Sequence, residues 1–244
     1  MSGHSKWHNI QGKKGKADKA RSNVFTKLAR MITVTAREGG GDPAMNFSLR
    51  LAIDKAKAAN MPKENIERAI KKGIGEDGDG ATLQEALYEG FGPAGSAILV
   101  EALTDNPNRT VSEIKNVITK NGGTVGGTGS VKWQFDRLGA LRLGGISNFQ
   151  FPISKSDFEL QLMDAGASDL KESELGLEVF CPVDKFQEVL EVVKKIGLEP
   201  ESSGLEWVAK ELVVLDEEAS NRLATISEAL DELDDVREVY TNEV

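Results

Sequence analysis

Lysine and arginine residues near the N-terminus are the strongest candidates for a binding site in this 244-residue sequence. At about 100° per residue, a helix through this segment would place six of the polar residues within roughly 80° of one another. This basic stripe consists of Lys16, Lys19, Asn23, Lys27, Arg30 and Arg37. Cations aligned on one edge favour a polyanion, because each neutralised phosphate releases counterions. A Gly- and Lys-rich arm with Lys13 and Lys14 extends the stripe.

The distribution of charge along the chain agrees with this interpretation. The first 75 residues hold 16 basic and 6 acidic residues, whereas the whole chain holds 30 and 39, for a net charge of −9. The remainder is therefore strongly acidic. Because solvated surfaces usually mix both signs, a one-sided block favours a partner of opposite charge. Nucleic acid is the common polyanion for such a block.

Two further residues have alternative interpretations. Trp7, between Lys6 and His8, could stack on a base or anchor the arm to the protein. Arg109 follows a turn before a predicted helix, where it could contact an anion, although ordinary turn and N-cap chemistry explains the same residues. The predicted nucleic-acid-binding residues are Lys6, Trp7, Lys13, Lys14, Lys16, Lys19, Arg21, Lys27, Arg30, Arg37 and Arg109.

The sequence offers little for catalysis, metals or cofactors. His4 and His8 are the only histidines, and two ligands without further donors make a poor zinc site. No histidine lies near a candidate nucleophile, which excludes the usual triads. The glycine-rich segment 122–130 lacks the lysine of a P-loop and is interpreted as a flexible loop, with phosphate contact as the alternative. We therefore expect a non-enzymatic protein without a cofactor, although a carboxylate enzyme remains an alternative.

Composition indicates a cytoplasmic protein. No apolar run approaches the roughly 20 residues that span a bilayer, so no membrane partner is expected. The basic N-terminus has no apolar segment of the secretory type. The single cysteine, Cys181, cannot form an internal disulfide, which fits a reducing compartment. The oligomeric state is open, with a monomer slightly favoured.

The basic residues must be positioned by an N-terminal group of helices. Apolar periodicity predicts helices over residues 22–38 and 43–59, with a third beginning at Met61 and Pro62. A polar, Gly-rich linker over 76–80 coincides with the change of charge sign and indicates a domain boundary. Beyond it, short strands alternate with helices, which is typical of α+β domains with antiparallel sheets.

Several of these later elements are specific predictions. A capping box from Thr110 to Glu113 predicts a helix to Lys120. Strands are predicted over 83–88, 97–103, 131–135, 177–181, 205–208, 212–215 and 236–240, with a strand near Ala140, and helices over 154–165, 183–196 and 217–233. The last of these helices is acidic, so its acidic face should point away from nucleic acid or meet a basic protein.

The residues also resemble a known family. Successive motifs of the YebC/PmpR family are similar to residues 3–7, 9–10, 13–14, Asp18, Arg21, 39–43, Asn46, 60–70, 88–93, 104–110, 129–131 and 230–242. The resemblance covers essentially the whole chain, although 140–208 matches mainly by pattern. Met31-Ile32 departs from it, since many relatives have a charged residue before the isoleucine.

The resemblance implies three domains and a role in gene expression. The expected fold is a helical domain at 1–77 and two small α+β, ferredoxin-like domains, one at 78–135 with 209–244 and the other inserted at 136–208. The resemblance further implies a cytoplasmic, non-enzymatic regulator that binds DNA in transcription, while some members act instead in translation and on the ribosome.

Two functions therefore remain open. One is a DNA-binding transcriptional regulator, whose duplex-reading helix should present Arg, Asn or Gln to base edges. The other is a translation factor that binds ribosomal RNA, because a mostly lysine stripe suits phosphate contact and recognition by shape.

Overall fold

The structure, a computed structural model, describes residues 19–76, 83–144, 154–173 and 175–243, with side chains from residue 23 onward. These residues form two compact units. One lies within Gln134–Leu212, and the other comprises the described residues up to Trp133 together with Val213–Glu243. The structure thus has two compact units, and the division of the chain into three domains stays a prediction.

The helices and strands alternate after three N-terminal helices, which confirms the α+β class. In chain order they are α1 (Lys19–Gly39), α2 (Phe47–Ala58), α3 (Lys63–Gly73), β1 (Gln84–Phe91), β2 (Ala97–Thr104), α4 (Pro107–Lys120), β3 (Thr124–Val125), β4 (Phe135–Gly144), α5 (Lys155–Asp164), β5 (Asp169–Ser173), β6 (Gly176–Pro182), α6 (Phe186–Lys195), β7 (Ser202–Ala209), α7 (Glu217–Asp231) and β8 (Val236–Thr241).

The three N-terminal helices form a helical module over residues 19–76 with its own apolar core. The buried residues of that core are Met31, Ile32, Ala36, Leu49, Ala52, Ile53, Ala56, Met61, Ile66 and Ala69. Asn46 holds the α1–α2 connection: its Oδ1 accepts from the Leu49 amide at 3.0 Å, and its Nδ2 donates to the carbonyl oxygens of Thr35 and Gly40. The buried Asn46 side chain thus caps α2 and fixes the end of α1.

Helices α1 and α3 run parallel and touch near their C-terminal ends. The Thr33 hydroxyl lies 3.1 Å from the carbonyl oxygen of Ala69. One turn further along both helices, Gly73 packs against Thr33 and Ala36 so closely that a Cβ atom would not fit. The glycine therefore allows the two helix ends to meet.

The first sheet belongs to the same compact unit. Its strands lie in the order β3-β1-β2-β8, and each neighbouring pair is antiparallel. Both α4 and α7 pack on one face, where the buried core consists of Ile98, Val100, Ile114, Ile118, Leu223, Ile226, Leu230 and Val236. The two central strands form a hairpin, so the order of connections differs from the ferredoxin-like one.

The second sheet forms the unit within Gln134–Leu212. Its strands lie in the order β5-β6-β4-β7 and are connected as β4-α5-β5-β6-α6-β7, which is the predicted ferredoxin-like arrangement. Gly139 of β4 faces Phe186 of α6, where the close approach leaves no room for a side chain. Arg142 of β4 is buried and binds Glu206 and Glu178.

Several predicted boundaries were wrong. The strand expected over 131–135 is a 3-10 turn at Lys132–Gln134 followed by β4. The strand expected over 212–215 is a single bridge between Val213 and Glu243. Helix α4 begins at Pro107 with Asn106 as its N-cap, so Thr110 does not open it. The short strand β3 and the polar strand β5 were not predicted.

None of the helices that the structure describes combines the length and the apolar composition needed to cross a membrane.

Candidate nucleic-acid interface

The structure describes only part of the predicted interface. Lys6, Trp7, Lys13, Lys14 and Lys16 lie outside the described residues. The backbones of Lys19 and Arg21 form the first turn of α1, but their side chains are outside the described part. The described side chains are those of Lys27, Arg30, Arg37 and Arg109.

Two residues of the basic stripe contact the C-terminal end of α7. Lys27 Nζ donates to the carbonyl oxygen of Asp231. Arg30 Nη1 donates to the carbonyl oxygen of Asp234 at 2.9 Å and to Asp235 Oδ1 at 2.7 Å. Carbonyl oxygens at a helix C-terminus lack intrahelical partners and carry negative potential, so they attract cations. This part of the stripe therefore binds the chain's own acidic helix end.

Asp235 is the centre of this contact. Its side chain is only 2% exposed. Oδ2 lies 2.6 Å from Arg109 Nη2, 2.7 Å from the Thr110 hydroxyl and 3.1 Å from the Thr104 hydroxyl. Burial alone would raise the pKa of Asp235, but the bonds from Arg109, Thr110, Arg30 and Thr104 outweigh it and lower the pKa to about 2. The carboxylate stays ionised at neutral pH and joins α1 to the β2–α4 turn.

Arg109 is already paired within the protein. Its backbone amide donates to Asn106 Oδ1, which is the N-cap bond of α4. Its guanidinium binds Asp105 Oδ1 at 2.9 Å as well as Asp235. The two carboxylates raise the pKa of Arg109, with the Asp235 hydrogen bond the larger cause. The guanidinium of Arg109 already binds two carboxylates of the protein. Its contact with nucleic acid stays a prediction.

The glycine-rich segment is held by a carboxylate of the protein itself. Glu89, which is 4% exposed, accepts hydrogen bonds from the amides of Gly129 at 2.5 Å and of Val131 and Lys132 at 2.7 Å each. Burial would raise the pKa of Glu89, but these three amides lower it overall. Within the segment 122–130 the Gly129 amide binds this carboxylate, and the amides of Gly122, Gly123, Gly126 and Ser130 bind backbone carbonyl oxygens. The geometry therefore favours a fixed loop over a phosphate site.

Asp235 and Glu89, which organise these contacts, were not predicted from the sequence. Both lie in segments that carry the family resemblance, 230–242 and 88–93, and Thr104 and Thr110 bound the segment 104–110. Those motifs could have indicated buried polar contacts. Among the described residues, no group of three or more His, Cys, Asp and Glu side chains is placed to hold a metal ion. His4 and His8 lie outside the described residues.

Comparison with known proteins matches both parts of the chain to one family. Residues 5–76 match the family model described as the TACO1/YebC protein N-terminal domain, and residues 83–243 match the TACO1/YebC second and third domain.

Full-length relatives agree. A protein of Caldanaerobacter subterraneus named "probable transcriptional regulatory protein" is 44% identical over 242 residues, which cover 99% of this chain and 98% of the relative. A protein with the same descriptive name from Geobacter sulfurreducens is 46% identical over 242 residues, with coverage of 99% and 95%. The crystal structure of a conserved hypothetical protein from Aquifex aeolicus, 39% identical, superposes with a TM-score of 0.82 over 94% of this chain and 92% of that one. The chain belongs to the TACO1/YebC family.

Proposed function

We propose that this protein is a nucleic-acid-binding regulator of gene expression that acts without catalysis, through its basic N-terminal residues. The observation that carries the proposal is the charge split: 16 basic against 6 acidic residues in the first 75, within a chain of net charge −9. The names of the relatives support a role in transcription, and duplex DNA is then the partner.

Binding through phosphates fits the described geometry better than reading of bases by α1. Lys27 and Arg30 are engaged by α7 and Asp235, and of the basic side chains described on α1 only Arg37 has no partner among the described residues. A helix that reads the major groove needs several free donors facing base edges. We therefore assign the main contact to the lysines of the arm, which neutralise phosphates without reading sequence.

The same observation favours a second candidate, a translation factor that binds ribosomal RNA. Recognition of a folded RNA depends on shape and on phosphate contacts, and it does not need a row of free arginines on a helix. DNA and ribosomal RNA present the same backbone charge, so the two candidates are separated by competition.

The test is co-sedimentation of the full chain with ribosomes through a sucrose cushion at about 0.15 M salt, with and without excess duplex DNA. Binding that survives the DNA supports the translation factor. Binding that DNA removes, or retention on DNA alone, supports the transcriptional regulator. Failure to bind either polymer would contradict the proposal.

A charge-reversal variant tests the role of the arm. Changing Lys13, Lys14 and Lys16 to Glu should weaken binding by several kcal/mol without unfolding the protein, at roughly 1 kcal/mol per lost phosphate contact plus repulsion. The matched control changes Lys115, Lys194 and Lys195, which are exposed on other elements, to Glu and alters the net charge equally. Equal loss in both variants would show that total charge, and not the arm, determines affinity.

A further inference from the structure

Four basic side chains of the helical module have no partner among the described residues. Arg37 of α1 and Arg68, Lys71 and Lys72 of α3 are exposed, and within the described part of the chain no hydrogen bond or ion pair engages them. Most other basic side chains described in the module are engaged. Lys57 pairs with Asp54 and Lys63 with Glu67, while Lys27 and Arg30 bind the end of α7.

These unpaired cations lie at one end of the helical module. Because α1 and α3 run parallel and meet where Gly73 packs against Ala36, Arg37 and Lys72 each lie one residue from the contact point. Arg68 is three residues from Lys71 and four from Lys72, so the three side chains share one surface of α3. We call Arg37, Arg68, Lys71 and Lys72 the cationic end of the module.

Compensation of helix dipoles does not account for the whole cluster. Basic residues in a last turn interact favourably with the helix C-terminus, which explains Arg37, Lys71 and Lys72 individually. Arg68 lies a turn earlier, where the dipole effect has faded. Two exposed acids near these helix ends, Glu38 and Glu76, form no ion pair with any of the four. On α3 itself, Glu64 and Glu67 lie four residues before Arg68 and Lys71, but Glu67 pairs with Lys63 and, in the described helices, neither acid is bonded to the four cations. The four cations are therefore available to an anion from outside.

We propose that the cationic end is a second phosphate-binding surface, which contacts the nucleic-acid backbone separately from the N-terminal arm. This inference rests on the proposed function and adds to it the surface of the folded module that meets the polymer. The occupant is a phosphodiester backbone because several unpaired cations on one rigid edge match regularly spaced negative charges. The Lys27–Arg30 part of α1 is bound to Asp235 and α7, so the cationic end supplies the unpaired charge of the described module.

The experiment compares charge-matched double variants of the full chain. One pair is Lys71→Gln with Lys72→Gln, and a second is Arg37→Gln with Arg68→Gln. The control is Lys57→Gln with Lys63→Gln, which removes the same charge from exposed but paired lysines of the same module. Affinities for a fluorescein-labelled 24-base-pair duplex DNA of random sequence and for an RNA hairpin of similar length are measured by anisotropy from 50 to 300 mM salt.

We expect each cationic-end variant to bind about tenfold more weakly than the wild type at 0.1 M salt, with the slope of log K against log salt reduced by about 1 to 2. The control should change affinity less than threefold with an unchanged slope. The polymer whose affinity falls more identifies the backbone that this surface contacts. Equal effects of the cationic-end and control variants would overturn the inference while leaving the proposed function standing. A wild type that binds neither polymer would overturn both.

Discussion

Replacing Asp235 by Asn probes the contact that joins α1 to the first sheet and α7. The side chain of Asp235 is 2% exposed, and its Oδ1 accepts a hydrogen bond from Arg30 while its Oδ2 accepts one from Arg109. The amide of the variant has one oxygen, so only one arginine keeps an acceptor. Its NH2 group would then face the other guanidinium or the hydroxyls of Thr104 and Thr110. We therefore expect Asp235→Asn to destabilise the protein.

The size of the effect follows from the pKa of Asp235. Its decrease from an ordinary 3.8 to about 2 is worth roughly 2.5 kcal/mol at about 1.4 kcal/mol per unit. The side chains of Arg30 and Arg109 are 26% and 43% exposed, so water screens part of the attraction. We expect Asp235→Asn to lower the free energy of unfolding at pH 7 by about 2 kcal/mol.

The pH dependence has a defined sign. The folded pKa of Asp235 lies below its unfolded value, so its contribution is complete above about pH 5 and is lost between about pH 4 and pH 2. The difference in stability between wild type and Asp235→Asn should therefore be about half as large at pH 3 as at pH 7. Below about pH 2 it should vanish.

Urea unfolding followed by circular dichroism at pH 7 and pH 3 measures both quantities. The matched control is Asp234→Asn, because the exposed Asp234 contacts Arg30 through its backbone carbonyl only, and the variant retains that carbonyl. The control should stay within about 0.5 kcal/mol of wild type. If Asp235→Asn matched the control at pH 7, or if its deficit stayed constant down to pH 3, the ion-pair account would be refuted.

Three further substitutions test other contacts. Glu89→Gln should speed hydrogen exchange at the amides of Gly129, Val131 and Lys132. Because the pKa of Glu89 is lowered, the wild-type protection should be kept through its ordinary value of 4.5 and fall only at lower pH, while protection in the variant should not change with pH. Equal protection in both proteins at pH 7 would contradict this. Asn46→Ala should cost about 1 to 2 kcal/mol of unfolding free energy through loss of the α2 cap, whereas Ser48→Ala, at an exposed neighbouring position, should cost little. Arg142→Met should cost roughly 3 kcal/mol at pH 7, because the buried Glu206 and the largely buried Glu178 lose their cation. The pKa of Glu178 is already raised by burial, so this cost should grow as the pH rises through the ordinary carboxyl value of 4.5. A cost independent of pH would argue against a carboxylate pair that needs its cation.

Local signals predicted the helical module well. Apolar periodicity and the glycines at 39–41 placed the first helix at 22–38, and the structure has it at Lys19–Gly39. The family resemblance and the α+β class are confirmed as well. These features depend on residues that are close in sequence, which is why sequence patterns report them.

Local signals failed where distant residues decide the structure. Thr110 looked like an N-cap because Glu113 follows it, but its hydroxyl lies 2.7 Å from Asp235, which is 125 positions away. The capping role belongs to Asn106. Strand β5 contains too few apolar residues to show the alternation that identifies a strand in a sequence, and it is defined by its pairing with β6.

In the candidate site, too, local features were predicted and contacts between distant residues were not. The positive charge of the N-terminal segment and the positions of its basic residues were evident from the sequence. Which of them remain unpaired was not, because Arg30 meets Asp235 across 205 positions and Lys27 meets Asp231 across 204. Arg68, Lys71 and Lys72 were not predicted to bind nucleic acid, although Arg68 lies in the family segment 60–70, because only the contact between α1 and α3 brings their end of α3 next to Arg37.

The proposed function requires that the basic N-terminal residues bind nucleic acid through its phosphates. The most direct measurement is the salt dependence of affinity of the full chain for random duplex DNA and for ribosomes. We predict a slope of log K against log salt of about −4 or steeper for at least one of them, as expected for five or more phosphate contacts, and a shallower slope after Lys13, Lys14 and Lys16 are changed to Glu. Absence of binding to both at 50 mM salt, or an affinity that does not depend on salt, would contradict the account.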